Sequence, residues 1–177
     1  MAKIVFRMDL SLDGCFDFQG LPVPDAELFC HRTEHVGDLA GTIYGRQMYE
    51  VVRYWYDDHP DWTSEQHDFA VAWRRQPKWV VSRSSKSVGP NATLVADDVE
   101  VVIRELKAKL TGEISASEPT LAQSLSDMGL VDEFRLYLQP VVVGRGKPFF
   151  SRPRPPLRLV SSERIGGEGI RLTYAPA

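Results

Sequence analysis

Gly45 and Arg46 are the residues whose types and order best suit an anion-binding site in this sequence. The apolar run Gly41–Tyr44 predicts a strand, and the residues from about Arg46 to Trp55 predict a helix. At such a junction the first helical N–H groups lack intrahelical partners and the helix dipole is positive. Gly45 would let the backbone approach a phosphate, and Arg46 would add a charged donor fork. The alternative, a plain turn with a solvated arginine, is the commoner outcome for an isolated Gly-Arg pair.

Two more predicted strands end in residues that could bind anions. The strand Pro77–Val81 is followed by hydroxyls and an arginine, in the order Ser82, Arg83, Ser84. The strand Gly112–Ala116 is followed by a turn into a helix, whose first turn accepts proline because the missing N–H costs nothing there. That turn comprises Ser117, Glu118, Pro119, Thr120 and Leu121. An ordinary polar turn is the alternative at both places.

The first predicted strand, Lys3–Leu10, leads into a loop that carries an acid, Asp13, in the order Ser11-Leu12-Asp13-Gly14. Loops that leave strand ends are where α/β folds bind their ligands, so Asp13 is a candidate site residue. It is equally suited to an Asx turn, in which the carboxylate bonds nearby backbone. The residues alone leave both interpretations open.

Metal binding is not expected from the histidines and cysteines. His31, Glu34 and His35 form an H-x-x-E-H pattern within a helix predicted from Asp25, its cap, to about Leu39. A zinc site needs a third protein ligand on another element, and the sequence downstream offers no obvious one. The two cysteines, Cys15 and Cys30, have neither zinc nor redox-motif spacing and are expected to be reduced thiols.

The order of elements predicts an α/β fold. Strands and helices alternate as far as about Met128, which favours parallel crossovers, and strands alone follow, which favours an antiparallel end to the same sheet. The closing strands are predicted at Phe134–Val143, with Pro140 at an edge or bulge, and at Leu157–Ile165 and Ile170–Tyr174. The result is a mixed, mostly parallel central sheet flanked by helices.

Finer local features are also predicted. In the helix after Gly45, four apolar side chains at helical spacing predict a core-facing stripe: Met48, Val51, Val52 and Trp55. In the helix Ser64–Arg75, Ser64 is the predicted N-cap.

Length and composition limit the classes of protein to which this chain can belong. The 177 residues predict a single domain, 1–177, with 43% hydrophobic and 25% charged residues. A net charge of −3 argues against a general nucleic-acid surface. No segment approaches the roughly 18 apolar residues of a membrane span, and no secretory leader is evident. The expected location is the cytoplasm.

Three strands of the predicted sheet thus end in residues that could bind anions. Three such ends on one sheet suit a ligand with a pyrophosphate and one further phosphate. NADPH is such a ligand, although the usual dinucleotide fingerprint, G-x-G-x-x-G, is absent.

Several segments, taken in order, resemble the dihydrofolate reductase-like family, and more narrowly its branch related to the reductase domain of bacterial riboflavin biosynthesis. The resemblance covers nearly the whole chain. Its most specific parts are the run Gly129-Leu130-Val131-Asp132-Glu133 and the glycine-bounded segment from Pro140 to Phe150. The other parts are Ser11–Gly14, Tyr44–Glu50 and Val81–Arg83.

The resemblance implies a three-layer αβα fold, an NADPH-dependent reductase and a homodimer, for which the exposed face of the Phe134–Val143 strand is a reasonable interface. By similarity, Gly45, Arg46 and Gln47 would hold a cofactor phosphate. The segment Ser82–Ser84 would take the 2′-phosphate, and Ser117–Leu121 would lie along the pyrophosphate. Ser11, Asp13 and Gly14 would border the nicotinamide and the substrate.

Two departures from the family bear on function. Glu118 stands where the family usually has glycine, so its carboxylate would repel the cofactor or must swing away. The deaminase half found in many riboflavin enzymes is absent, because there is no H-x-E and no P-C-x-x-C. Two functions follow: reduction of a small pyrimidine- or pterin-like heterocycle, with Asp13 and Ser11 as catalytic candidates, or a non-catalytic ligand-binding or structural dimer.

Overall fold

The chain folds around an eight-stranded sheet in a computed structural model that describes residues 1–16, 26–150 and 156–177. The strands in chain order are β1 (Lys3–Ser11), β2 (Gly41–Gly45), β3 (Lys78–Val81), β4 (Ala92–Val95), β5 (Glu113–Ser117), β6 (Glu133–Gln139), β7 (Leu157–Ile165) and β8 (Gly169–Pro176). The helices are α1 (Ala26–Asp38), α2 (Arg46–Val52), α3 (Ser64–Arg75), α4 (Val99–Lys109) and α5 (Pro119–Asp127). Asp25, the predicted cap of α1, lies outside the described residues.

The strand order across the sheet is β4-β3-β2-β5-β1-β6-β8-β7. All pairs from β4 to β6 are parallel, and β8 and β7 are added antiparallel. The predicted mixed sheet with an antiparallel C-terminal end is therefore confirmed. Because parallel strands bring their carboxyl ends to one edge, the residues that follow β1, β2, β3 and β5 share that edge.

The side chains of β1 alternate between two different layers. Phe6 belongs to the main apolar core together with Ile103 of α4 and Leu125 of α5. On the opposite face, Asp9 accepts a hydrogen bond of 2.8 Å from Arg32 of α1. The helices α1 and α3, which pack on each other, cover this second and more polar face. The predicted three-layer arrangement follows from this alternation. None of the helices in the described ranges combines the length and apolar character needed to cross a bilayer.

Strand β6 is shorter than the predicted strand Phe134–Val143, which is wrong beyond Gln139. Pro140 has no N–H to continue the ladder, and the chain turns there. The carbonyl of Val141 instead accepts from the N–H of Leu12, at 2.8 Å, so this segment supports the loop after β1.

The face of β6 proposed as a dimer interface is not exposed. Tyr137 is 1% exposed. Arg135 is bound by the carboxylates of Glu113 and Glu133, at 2.6 and 2.9 Å. Exposed apolar side chains lie instead on the edge strand β7, beyond β8, where Leu159 and Val160 are about half exposed.

The predicted core stripe of α2 is only partly correct. Val51 is 60% exposed, whereas Tyr49 is 1% exposed and packs against Tyr44 and Val80. The α-helix also ends at Val52 and continues as a 3-10 turn, Arg53–Tyr56, so residues beyond Val52 no longer follow the 3.6-residue period.

The N-cap of α3 is Thr63 and not the predicted Ser64. The Thr63 hydroxyl accepts from the N–H of Gln66, and the Gln66 side chain accepts from the N–H of Thr63 at 2.8 Å. This reciprocal pair satisfies two N–H groups that the helix leaves free.

We expect Thr63→Ala to lower the free energy of unfolding by about 1 kcal/mol, because it removes the cap. Ser64→Ala is the matched control and should leave that free energy nearly unchanged. Urea unfolding of both variants measures the difference. An equal loss in the two variants would contradict the assignment of the cap.

Candidate active site

Two cavities lie on either side of the strand ends at the carboxyl edge of the sheet. The larger, which we call the groove, has a volume of about 620 Å³, and its lining includes Gly45, Ser82, Arg83, Asp98, Glu118 and Thr120. The smaller, which we call the pocket, has a volume of about 160 Å³, and its lining includes Arg7, Asp9, Arg32, Tyr44, Trp55 and Ser117. The groove lies beside α4 and α5, and the pocket lies beneath α1 and α3.

Consecutive residues of β2 and β5 line opposite cavities. Tyr44 faces the pocket and Gly45 the groove, while Ser117 faces the pocket and Glu118 the groove. Tyr44 and Ser117 are partners in the β2–β5 register, so the two junctions lie side by side. A ligand in the groove and a ligand in the pocket would therefore meet across these strand ends.

Gly45 leaves open a space that a side chain would fill. Its backbone angles, φ −73° and ψ 160°, are accessible to any residue, so the turn does not require glycine. A Cβ at this position would overlap the carboxylate of Glu118, which lies directly over Gly45. The missing side chain thus makes room for an acidic group at the start of α2.

Glu118 has a backbone conformation that L residues rarely adopt. It is the N-cap of α5 with φ 118° and ψ 125°, and such conformations cost about 1–3 kcal/mol outside glycine. Burial raises the pKa of its carboxyl group. A hydrogen bond from Thr120 and the charges of Arg46 and Lys147 act in the opposite direction on that pKa.

Ser82 and Arg83, which follow β3, line the far end of the groove. The Ser82 hydroxyl is engaged within its own turn, where it accepts from the N–H groups of Ser84 and Ser85 at 3.2 and 3.0 Å. The neighbouring Arg83 side chain is exposed at the groove. Arg83 is therefore the group at this end that is able to bind a phosphate.

Ser11, Asp13 and Gly14 build the loop after β1 and are not among the residues that line the groove or the pocket. The Ser11 hydroxyl accepts from the N–H of Cys15 at 3.0 Å and is fully buried. The Asp13 carboxylate accepts from the N–H groups of Val143 and Gly144, at 3.2 and 2.8 Å. Hydrogen bonds from Ser11 and from these two amides lower the pKa of Asp13 to about 2. Their predicted catalytic roles stay predictions.

The remaining residues predicted to contact the cofactor do not all line the groove. Thr120 and Leu121 line the groove. Pro119 lies at the first position of α5, as predicted, and lines a much smaller cavity next to Phe149. Gln47 is exposed on α2 and does not line the groove.

Arg7 is a site residue that the sequence analysis missed. It lines the pocket, its Cζ lies 4.5 Å from the centre of the Tyr137 ring, and its buried Nε has no hydrogen-bond partner. Three other arginines on the same face, Arg32, Arg135 and Arg171, have carboxylate partners. Among the described residues, no carboxylate pairs with Arg7.

The charge of Arg7 acts on the neighbouring histidines of α1. Burial, followed by the charge of Arg7, lowers the pKa of His35 to about 3 and also lowers the pKa of His31. His31 lies 3.4 Å from the Tyr137 hydroxyl. His31 and His35 are therefore half-buried on the side of α1 that faces the sheet, whereas Glu34, between them in the H-x-x-E-H pattern, is exposed.

The pocket combines polar groups with an aromatic wall. The Asp9–Arg32 ion pair, at 2.8 Å, lies at the side formed by β1 and α1. The aromatic residues that face it are Tyr44, Trp55, Phe69 and Trp73. A small planar molecule with polar edges suits such a lining.

The groove contains groups that are able to bind the phosphates of NADPH. Arg83 offers a cation after β3, the glycine at position 45 leaves room for a phosphate near Arg46 at the end of β2, and the start of α5 follows the next strand, β5. The Glu118 side chain fills that space, so a phosphate there requires the side chain to turn away. The residues therefore fit the cofactor once that side chain moves.

Residues 2–170 match the family model described as the RibD C-terminal domain. A protein of Bacillus subtilis (strain 168), the uncharacterized protein YyaP, is 25% identical over 97% of this chain and 94% of its own length. The fold is shared with a protein of Shewanella sp. PV-4 named as a candidate riboflavin biosynthesis protein, with a TM-score of 0.73 and 23% identity over 100% of this chain and 99% of that one. It is also shared with a pyrimidine reductase-like protein of Corynebacterium diphtheriae, with a TM-score of 0.67 and 14% identity over 98% and 91%.

Proposed function

Because this chain belongs to the RibD C-terminal domain family, we propose that it is an NADPH-dependent reductase of a small pyrimidine- or pterin-like heterocycle. The observation that carries the proposal is the shared wall between the groove and the pocket. Tyr44 and Ser117 face one cavity, and the residues directly after them face the other. A dinucleotide in the groove would thereby reach a substrate in the pocket across the ends of β2 and β5.

The residues of the groove have distinct proposed tasks. Arg83 would bind the 2′-phosphate, and Gly45 with Arg46 would bind a phosphate of the pyrophosphate. The start of α5, where Thr120 and Leu121 line the groove, would lie along the same pyrophosphate and direct its free N–H groups toward the negative charge. When bound, the cofactor would supply a hydride from its nicotinamide ring to the substrate.

The residues of the pocket would orient the substrate. Arg7 would donate to an oxygen or anionic group of the heterocycle, which would complete the hydrogen bonding of its guanidinium. The aromatic wall, including Trp55 and Trp73, would exclude water and hold the planar ring. Ser11 and Asp13 belong to the loop after β1. Their hydrogen bonds would hold that loop in place against Val143 and Gly144.

A second candidate function is favoured by the position of Glu118. Its carboxylate lies over Gly45, so a family member that binds ligand in the pocket without turnover is the alternative. Such a protein would bind the heterocycle with no dependence on NADPH.

The proposal predicts tight binding of NADPH with discrimination against NADH. Tryptophan fluorescence of the purified protein follows both titrations. Arg83→Gln should reduce the NADPH preference about tenfold, because it removes a charge-assisted hydrogen bond to the 2′-phosphate. Arg53→Gln, an exposed arginine paired with Glu50, is the matched control.

Turnover then separates the two candidate functions. Oxidation of NADPH should follow addition of one member of a panel of aminouracils and pterins. Equal affinity for NADPH and NADH, unaffected by Arg83→Gln, would contradict the proposed cofactor site. Binding of a panel member in the absence of NADPH, with no turnover when NADPH is added, would favour the non-catalytic alternative.

A further inference from the structure

The Glu118 carboxylate occupies the space that Gly45 leaves open at the carboxyl edge of the sheet. It lies over Gly45, where a Cβ would overlap it, and it receives a hydrogen bond from Thr120. Arg46, at the start of α2, and Lys147, in the segment after β6, are the cations that act on it. This half-buried carboxylate is thus surrounded by the groups that would otherwise serve a bound phosphate.

We propose that Glu118 is an internal competitor for the phosphate position, so that binding of a dinucleotide requires its carboxylate to be protonated or displaced. The inference rests on the proposed function in naming the dinucleotide as the ligand. It goes beyond that function because it makes binding depend on pH through one side chain. The inference also assigns a role to Glu118, which is an L residue in a backbone conformation that suits glycine.

The sign of the pH dependence follows from the charges around Glu118. An ionised carboxylate and a phosphate at the same position repel each other, which lowers the affinity for the phosphate. Protonation of Glu118 removes that repulsion, and burial places its pKa above the usual value of 4.5. Asp98 and Glu100, on the α4 side of the groove, add negative charge without contacting Gly45. The affinity for a pyrophosphate ligand should therefore rise as the pH falls toward the pKa of Glu118.

Two variants separate the charge of Glu118 from its volume. Glu118→Gln keeps the size and removes the charge, and Glu118→Gly removes both and suits the backbone angle. We expect affinity for NADP⁺ at about pH 8 to rise at least about tenfold in Glu118→Gln, and further in Glu118→Gly. Glu105→Gln is the matched control, because it removes the same charge from an exposed pair with Lys109 on α4.

The ligands are NADP⁺, which is stable in acid, and 2′-AMP, which carries only the phosphate proposed to bind at Arg83. Calorimetric titrations of the parent and variants between about pH 5 and pH 8 cover the relevant range. Both ligands share the titration of the 2′-phosphate, so the ratio of their affinities isolates the effect of Glu118. That ratio should increase toward low pH in the parent and stay flat in both Glu118 variants.

The outcomes distinguish this inference from the proposed function. If NADP⁺ binds the parent and Glu118→Gln equally at every pH, Glu118 is not a competitor and the inference fails while the cofactor site stands. If 2′-AMP binds all variants but NADP⁺ gains nothing in either variant, the inference fails again. If neither ligand binds any variant, the proposed cofactor and the inference both fail.

Discussion

Gly45→Ala is expected to weaken NADPH binding about 100-fold, because it misplaces a phosphate by the width of a methyl group. The backbone at Gly45 has angles that alanine adopts readily, so the variant should fold. Its Cβ would occupy the space where the Glu118 carboxylate now lies. The glycine would thus be required for the room it leaves and not for the turn it makes. Fluorescence titration with NADPH gives the affinity, and urea unfolding verifies the fold.

The same substitution in the Glu118→Gly background removes an ambiguity. In the parent, the new Cβ displaces the Glu118 side chain as well as any phosphate, whereas in the double variant only the phosphate is affected. A loss of NADPH affinity in both backgrounds would assign the effect to the phosphate position itself.

Gly37→Ala in α1 is the control, because a Cβ there meets no atom within 4 Å. Alanine should stabilise this helix by roughly 0.5–1 kcal/mol and leave NADPH binding unchanged. An affinity for NADPH in Gly45→Ala within threefold of the parent would show that no phosphate approaches Gly45.

The order of strands and helices could be predicted because it depends on local hydrophobic periodicity. The position of Gly45, Ser82 and Glu118 at one edge followed from the same pattern, since Gly45 and Ser82 come directly after predicted parallel strands and Glu118 comes two residues after the predicted strand Gly112–Ala116. The parallel sheet then brings these residues to one edge. What could not be predicted is that the Glu118 side chain lies on Gly45, because this contact depends on the pairing of two strands that are far apart in sequence.

The pocket was missed although the sequence of β1 contained a signal for it. Arg7, Asp9 and Ser11 alternate with apolar residues, which is the period of a strand with one polar face. The start of the strand hides this alternation, because Ile4, Val5 and Phe6 are all apolar. The polar face is completed by Arg32 of α1, which pairs with Asp9, and this is again a contact between segments that are distant in sequence. Errors in caps and strand ends, such as Thr63 and Gln139, are shifts of a few residues that local patterns do not resolve.

Arg7→Met is expected to lower kcat/KM for the heterocyclic substrate about 100-fold, the equivalent of the roughly 1.5–3 kcal/mol of a hydrogen bond to a charged group. The same variant should unfold at the same urea concentration as the parent or a higher one. Arg7 is a half-buried cation without a carboxylate partner in the described part of the chain, so an apolar side chain of similar length relieves an electrostatic cost. Loss of function without loss of stability is typical of a residue kept for ligand binding.

A second measurement on Arg7→Met requires no substrate. The charge of Arg7 lowers the pKa values of His31 and His35, so its removal should raise both, and NMR titration of the His31 ring follows the change. Arg7→Lys keeps the charge and should leave these pKa values near those of the parent. It should recover only part of kcat/KM, because an ammonium lacks the two-pronged geometry of a guanidinium.

Arg135→Met is the matched comparison, since Arg135 is the register partner of Arg7 on β6 and is bound by two carboxylates. Its replacement leaves Glu113 and Glu133 without that partner and should lower the free energy of unfolding by about 1–3 kcal/mol. We therefore expect the loss of Arg7 to reduce kcat/KM without loss of stability, and the loss of Arg135 to reduce stability. If Arg7→Met unfolds as easily as Arg135→Met and retains its kcat/KM, then Arg7 is a structural residue and the pocket does not bind the substrate through it.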